Sequence, residues 1–150
     1  MPYADPAVSR PGKTVVVTTT PSDSHTWNLV FLQLLLEESG YAVRNLGACT
    51  PTETVLAACR GPGVDLLVVS SVNGHGSVEG AALIRVLRAD PALAGLPAVI
   101  GGMLTTADGY GVAAELSAAG YDAVFLGESA AERFRSFIAA RTVFAGARTW

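Results

Sequence analysis

The chain has 150 residues, half of them apolar, with 13 Asp and Glu against 10 Lys and Arg for a formal net charge of −3. That length fits one globular domain burying roughly 70% of its unfolded surface and leaves no room for a second substrate domain. No basic run or aromatic cluster marks a nucleic-acid surface or a polybasic membrane contact, and no segment reaches the roughly 18 apolar residues of a membrane span.

Residues 1–12 carry Pro2, Pro6 and Pro11 without an apolar stretch of signal-peptide length, which predicts a flexible, uncleaved N-terminal arm. The β-branched run 14–20 predicts a first strand, followed by a polar stretch and a helix over 27–39 that Gly40 terminates. A strand over 42–46 comes next. Thr50, Pro51, Thr52 and Glu53 then supply hydroxyl caps, a proline suited to a first turn and an early carboxylate, marking a helix over 52–58. Strands over 66–70, 98–100 and 123–126 alternate with helices over 79–89, 109–118 and 130–140, with Gly120 as a second left-handed terminator. Residues 141–150 form a C-terminal tail.

This alternation predicts an α/β domain over 13–140, a doubly wound, five-stranded parallel sheet of Rossmann-like or flavodoxin-like type. Cys49 and Cys59 form no CxxC pair, so both read as small buried or half-buried side chains in a protein of the reducing cytoplasm. The first helix is unusual. Leu29, Val30, Phe31, Leu32, Leu34, Leu35 and Leu36 point in nearly every direction around it, so it should be covered on more than one side. Either a neighbouring helix squeezes it against the sheet, or one face meets another polypeptide or a bulky cofactor.

Three ligand-like clusters follow strands one, three and four: Asp23-Ser24-His25, Ser70-Ser71-Val72-Asn73-Gly74-His75-Gly76, and Gly101-Gly102-Met103-Leu104-Thr105. In a parallel sheet these ends share one edge, where open α/β sheets hold ligands. If strand one lies between the other two, the clusters line one crevice. Asp23 also suits a specific task, since a metal-ligating imidazole needs its far nitrogen bonded to an acceptor that fixes the tautomer. Taken singly, an Asp-x-His, a strand-end Ser or a Gly-Gly pair is more often turn chemistry than a site.

In order and spacing these clusters resemble the cobalamin-binding domain of the adenosylcobalamin-dependent mutases, with its Asp-x-His-x-x-Gly, Ser-x-Leu and Gly-Gly motifs at the same strand ends. The likeness runs from about Lys13 to Ile138 and is nearest to the small-subunit family of glutamate mutase, also called methylaspartate mutase. Ser22-Asp23-Ser24-His25, the stretch from Ser39 to Gly47, Val69-Ser70-Ser71 and Ile100-Gly101-Gly102 carry it. Two positions depart from the pattern: Asn28 stands where the motif has glycine, and Asn73-Gly74-His75-Gly76 replaces an aromatic residue and an uncharged polar one.

The resemblance implies that His25 is the lower axial ligand to the cobalt of adenosylcobalamin, displacing the cofactor's own benzimidazole, with Asp23 behind it. It implies that Ser22, Ser24, Thr26 and Asn28 border the cofactor, and that Ser70 bonds the buried nucleotide tail. Gly101 and Gly102 would admit that tail closely, with Met103, Leu104 and Thr105 on one side of it and Ser71 and Val72 on the other. His75 would face the corrin rim or a partner. The implied activity is isomerisation of L-glutamate to threo-3-methylaspartate with a separate large TIM-barrel subunit, and no nucleic acid or membrane takes part.

A corrinoid carrier for methyl transfer is the alternative, although carriers usually have a helical segment before the cobalamin domain and only about a dozen residues precede strand one here. A phosphoacceptor receiver would share the fold. It needs an aspartate at the end of strand three, where this chain has Ser70-Ser71, and an acidic pair after strand one, where it has Asp23 alone. A flavodoxin phosphate loop is missing too, since residues 18–27 contain no glycine.

Overall fold

Val15, Val16 and Val17 are fully buried in β1 (Thr14–Thr18), and their alternating side chains feed two separate cores. In the computed structural model, which describes residues 14–72, 76–102, 109–127 and 129–147, the elements alternate strictly between strand and helix. After β1 come α1 (Trp27–Glu38), β2 (Ala42–Asn45), α2 (Thr52–Cys59), β3 (Val64–Ser71) and α3 (Gly76–Ala89). β4 (Ala98–Gly102), α4 (Gly109–Ala119), β5 (Ala123–Phe125) and α5 (Ala130–Ala147) complete the order. The last helix therefore continues past the expected end at residue 140.

All pairings are parallel, in the order β2-β1-β3-β4-β5. On one face, Val16, Leu67, Val69 and Ile100 pack with Leu56 of α2, Ile84 and Leu87 of α3 and Leu116 of α4. On the other, Val15, Val17, Val68 and Val99 pack with Leu29 and Leu36 of α1 and Phe134 and Ile138 of α5. The doubly wound sheet is thus as expected, but the central strand is β3. It lies between β1 and β4, so the condition that strand one stand between the other two is not met. The three clusters still share one edge because β3 neighbours both of the others.

Three local expectations change. α1 is covered on one side only: Leu29, Leu35 and Leu36 are buried, while Trp27, Val30, Phe31 and Leu34 are exposed. At the start of α2, Pro51 occupies the cap position without a side-chain bond, and the Thr50 hydroxyl donates to the Gly47 carbonyl at 2.8 Å instead. Cys59 is buried, and burial pushes its thiol up to about 11, whereas Cys49 is exposed with φ 50°. Gly40 and Gly120 do end their helices, with φ of 95° and 138°. No helix among the described residues is long and apolar enough to cross a membrane.

Candidate functional site

Past β1 the chain turns sharply, with the Asp23 amide donating to the Thr20 carbonyl at 3.1 Å and the Asp23 carbonyl accepting from the Cys49 amide at 2.7 Å. This buries the Asp23 side chain, 1% exposed, against the end of β3. Its Oδ2 accepts from the Ser71 hydroxyl and the Val72 amide, both at 2.7 Å. Its Oδ1 takes the His25 amide at 3.1 Å and lies 2.5 Å from His25 Nδ1. Burial alone raises such a carboxyl, but the bonds from His25, Ser71 and Val72 outweigh it and hold Asp23 at about 2.

An ionised carboxylate only accepts, so His25 Nδ1 carries a hydrogen, and Nε2 is the nitrogen left to present a lone pair in the neutral form of the ring. Nε2 lies 3.4 Å from Ser70 Oγ, whose hydroxyl can donate to it. The imidazole is therefore oriented from behind by a fixed anion and presents a basic nitrogen, the state a soft or borderline metal requires. Among the described residues no group of three or more His, Cys, Asp or Glu side chains gathers as a metal site. A lone imidazole held in this way could serve as one ligand of a metal.

Ser70 also lines a cavity of about 190 Å³ between the sheet, α1 and α5. Its walls are mainly apolar: Phe31 and Leu32 of α1, Val68 and Ile100 of the sheet, and Phe125 and Phe134, whose rings meet edge to face at 5.5 Å. Asn28 stands among the lining residues as well. A slot of this character suits a largely apolar group with a few placed hydrogen bonds.

The expected site residues divide accordingly. His25, Asp23, Ser70, Ser71 and Val72 form one hydrogen-bonded unit. Asn28, Gly101 and Gly102 join Ser70 on the cavity wall. Asn28 lies within α1, so it neither caps the helix nor adopts left-handed backbone. Ser24 and Thr26 are exposed on the loop, and Ser22 donates through its amide and hydroxyl to Glu79 Oε1 of α3 at 3.1 and 2.8 Å. Met103, Leu104 and Thr105 lie outside the described residues, as do Asn73, Gly74 and His75 and the arm 1–12.

The glycines have a nearer reason than ligand approach. A Cβ on Gly101 would stand 2.9 Å from the Phe125 carbonyl oxygen, and one on Gly102, at φ 110°, would collide with the Ser71 carbonyl. Both are needed to seat β4 between β3 and β5. The aromatic wall from β5 and α5 escaped the sequence reading because those residues carry only the signature of ordinary core positions. The one available signal was the aromatic spacing Phe125, Phe134, Phe137.

Comparison with known proteins places these features. The B12 binding domain family matches residues 13–135. The glutamate mutase sigma subunit of Halobacterium salinarum is 34% identical over 123 residues, covering 79% of this chain and 80% of that protein. Among solved structures, the monomethylamine corrinoid protein of Methanosarcina barkeri superposes with a TM-score of 0.65 at 20% identity, over 85% of this chain and 57% of that one. A signal receiver domain of a histidine kinase from Syntrophus aciditrophicus superposes as well, with a TM-score of 0.64 at 17% identity, over 92% of this chain and 95% of that one. Fold alone thus leaves cobalamin domains and receivers together.

Proposed function

The chain belongs to the B12-binding domain family, and from that premise we propose that it is the cofactor-binding component of an adenosylcobalamin-dependent mutase acting with a large TIM-barrel subunit. The proposed reaction is isomerisation of L-glutamate to threo-3-methylaspartate. The single observation that carries this reading is the meeting of an oriented imidazole and an apolar slot at one hydroxyl, Ser70, which touches both.

In this reading His25 Nε2 would hold the cobalt of the cofactor, and the slot of Phe31, Phe125 and Phe134 would receive its nucleotide tail. Bound adenosylcobalamin would supply the radical chemistry of a carbon-skeleton rearrangement, which no side chain can provide. The chain's own part is to bind and orient. Asp23 holds the Nδ1 proton and fixes the ring, Ser70 offers its hydroxyl where imidazole and tail meet, and the aromatic walls keep water from the base. Sequence kinship with a glutamate mutase sigma subunit supports this substrate over others.

The test is cofactor capture in the dark. Purified chain, alone and mixed with a cognate barrel subunit, is offered adenosylcobalamin or methylcobalamin and passed through gel filtration. Retention of adenosylcobalamin and glutamate-dependent turnover with the barrel subunit is the expected result. Colourless protein in both arms defeats the proposal, and selective retention of methylcobalamin without turnover replaces it with the corrinoid carrier.

A further inference from the structure

Asp23 is held from two directions. The end of β3 binds its carboxylate through Ser71 and Val72, and the segment after β2 binds its carbonyl through the Cys49 amide. A third hold reaches the same loop one residue earlier. The Ser22 amide and hydroxyl both donate to Glu79 Oε1, at 3.1 and 2.8 Å, across 57 positions of sequence. Glu79 lies in the first turn of α3, so the helix that follows β3 in the chain grips the loop that carries His25.

A carboxylate in the first turn of a helix offsets the positive helix end, and Glu79 does so whether or not Ser22 is present. The two bonds add a separate constraint. With the N–H and O–H of one residue on a single oxygen, the Ser22 side-chain rotamer and the direction of its amide are fixed together, by charge-assisted bonds about twice as strong as neutral ones. Ser22 is exposed and Glu79 half-buried, so water competes and the tie adds little to global stability. Its effect falls on geometry instead. Ser22 adjoins Asp23 directly, so where Ser22 is tied limits how far the Asp23–His25 pair can tilt, and with it the 3.4 Å approach of His25 Nε2 to Ser70 Oγ.

We propose that Glu79 is a positioning residue for His25, tying the loop to α3 through Ser22 so that the imidazole keeps one orientation at the mouth of the slot before any ligand arrives. Glu79 touches no ligand in this role; it acts through Ser22 and then Asp23. An imidazole already held in place removes an ordering cost from binding. The consequence for cobalamin affinity rests on the cofactor reading, whereas the tie itself belongs to the ligand-free chain.

Nitrogen-15 NMR of the full chain reads the tie without cofactor. Glu79→Ala should speed hydrogen exchange of the Ser22 amide about tenfold or more and spread the His25 ring between its two tautomers. Glu79→Gln keeps an oxygen acceptor and should stay close to the parent in both. Equilibrium dialysis of adenosylcobalamin in the dark should then show about 3- to 10-fold weaker binding for Glu79→Ala and a smaller loss for Ser22→Ala and for Glu79→Gln. Adding Ser22→Ala to Glu79→Ala should cost nothing further, because both remove one interaction. A role confined to the helix end would make Glu79→Gln behave as Glu79→Ala and leave the Ser22 amide and the His25 ring as in the parent. That result, or additive losses in the double variant, overturns the proposal. A parent that retains no adenosylcobalamin defeats the cofactor reading instead, and the two NMR readouts still decide whether Glu79 positions the imidazole.

Discussion

Ser70 Oγ stands 3.4 Å from His25 Nε2, so the hydroxyl that opens the apolar slot is also the one facing the free nitrogen of the imidazole. Any group that ligates at Nε2 displaces this contact and frees the serine to bond whatever enters the slot.

Removing the imidazole should leave the fold in place, because His25 sits on a loop outside both cores. His25→Ala should lose the protein nitrogen from the electron paramagnetic resonance spectrum of the reduced cobalt complex while its far-ultraviolet circular dichroism stays that of the parent. Benzimidazole nitrogen at cobalt in the unmodified protein would rule out the displaced-tail arrangement.

Asp23 acts one bond further back. Asp23→Asn leaves an amide that no longer demands the Nδ1 proton, so cobalamin affinity should fall about 10- to 100-fold without being abolished. Equilibrium dialysis in the dark measures it. Affinity equal to the parent's would show that the carboxylate does not orient the ring.

The same carboxylate gives a pH signature. Its folded value, about 2, lies below the ordinary 3.8, so the ionised form stabilises the fold above that ordinary value and the contribution fades as pH falls from 3.8 toward 2. The size is about 2 kcal/mol, from roughly 1.4 kcal/mol per unit. Urea unfolding of the parent and Asp23→Asn should therefore differ at neutral pH and converge near pH 2. Curves that remain parallel would mean that the four bonds to Asp23 do not act together.

Asn28 lines the slot at α1. Asn28→Gly should tighten cobalamin uptake severalfold while costing about 0.5–1 kcal/mol of helix stability. Binding titration and thermal melting separate the two effects, and uptake that is unchanged or weaker would show that the amide does not crowd the ligand.

Gly102→Ala should destabilise by roughly 2 kcal/mol or more, since φ 110° and the Ser71 carbonyl both oppose a Cβ. Chemical denaturation checks this. A neutral result would mean that β4 can shift away from β3.

Strand and helix positions were legible because β-branched runs and glycine stops are local signals, and Gly40 and Gly120 mark helix ends as the sequence indicates. Asp23 and His25 were legible because their chemistry lies two residues apart. Strand order was not, since nothing in residues 14–18 says whether β3 will pair on both of its edges. The aromatic wall was hidden for the same reason: Phe125 and Phe134 look like core residues until α5 lies beside α1. The exposed side of α1 was visible as a surplus of apolar residues, but only the fold shows which of them face outward.

Because β3 lies at the middle of the sheet and the slot draws its walls from Asn28 through to Phe134, no amino-terminal fragment that stops short of α5 encloses it. A chain still emerging from the ribosome must wait for its final helix before the cavity exists. On the proposed function, cofactor loading would then follow synthesis, acting on a finished domain and unable to template its birth.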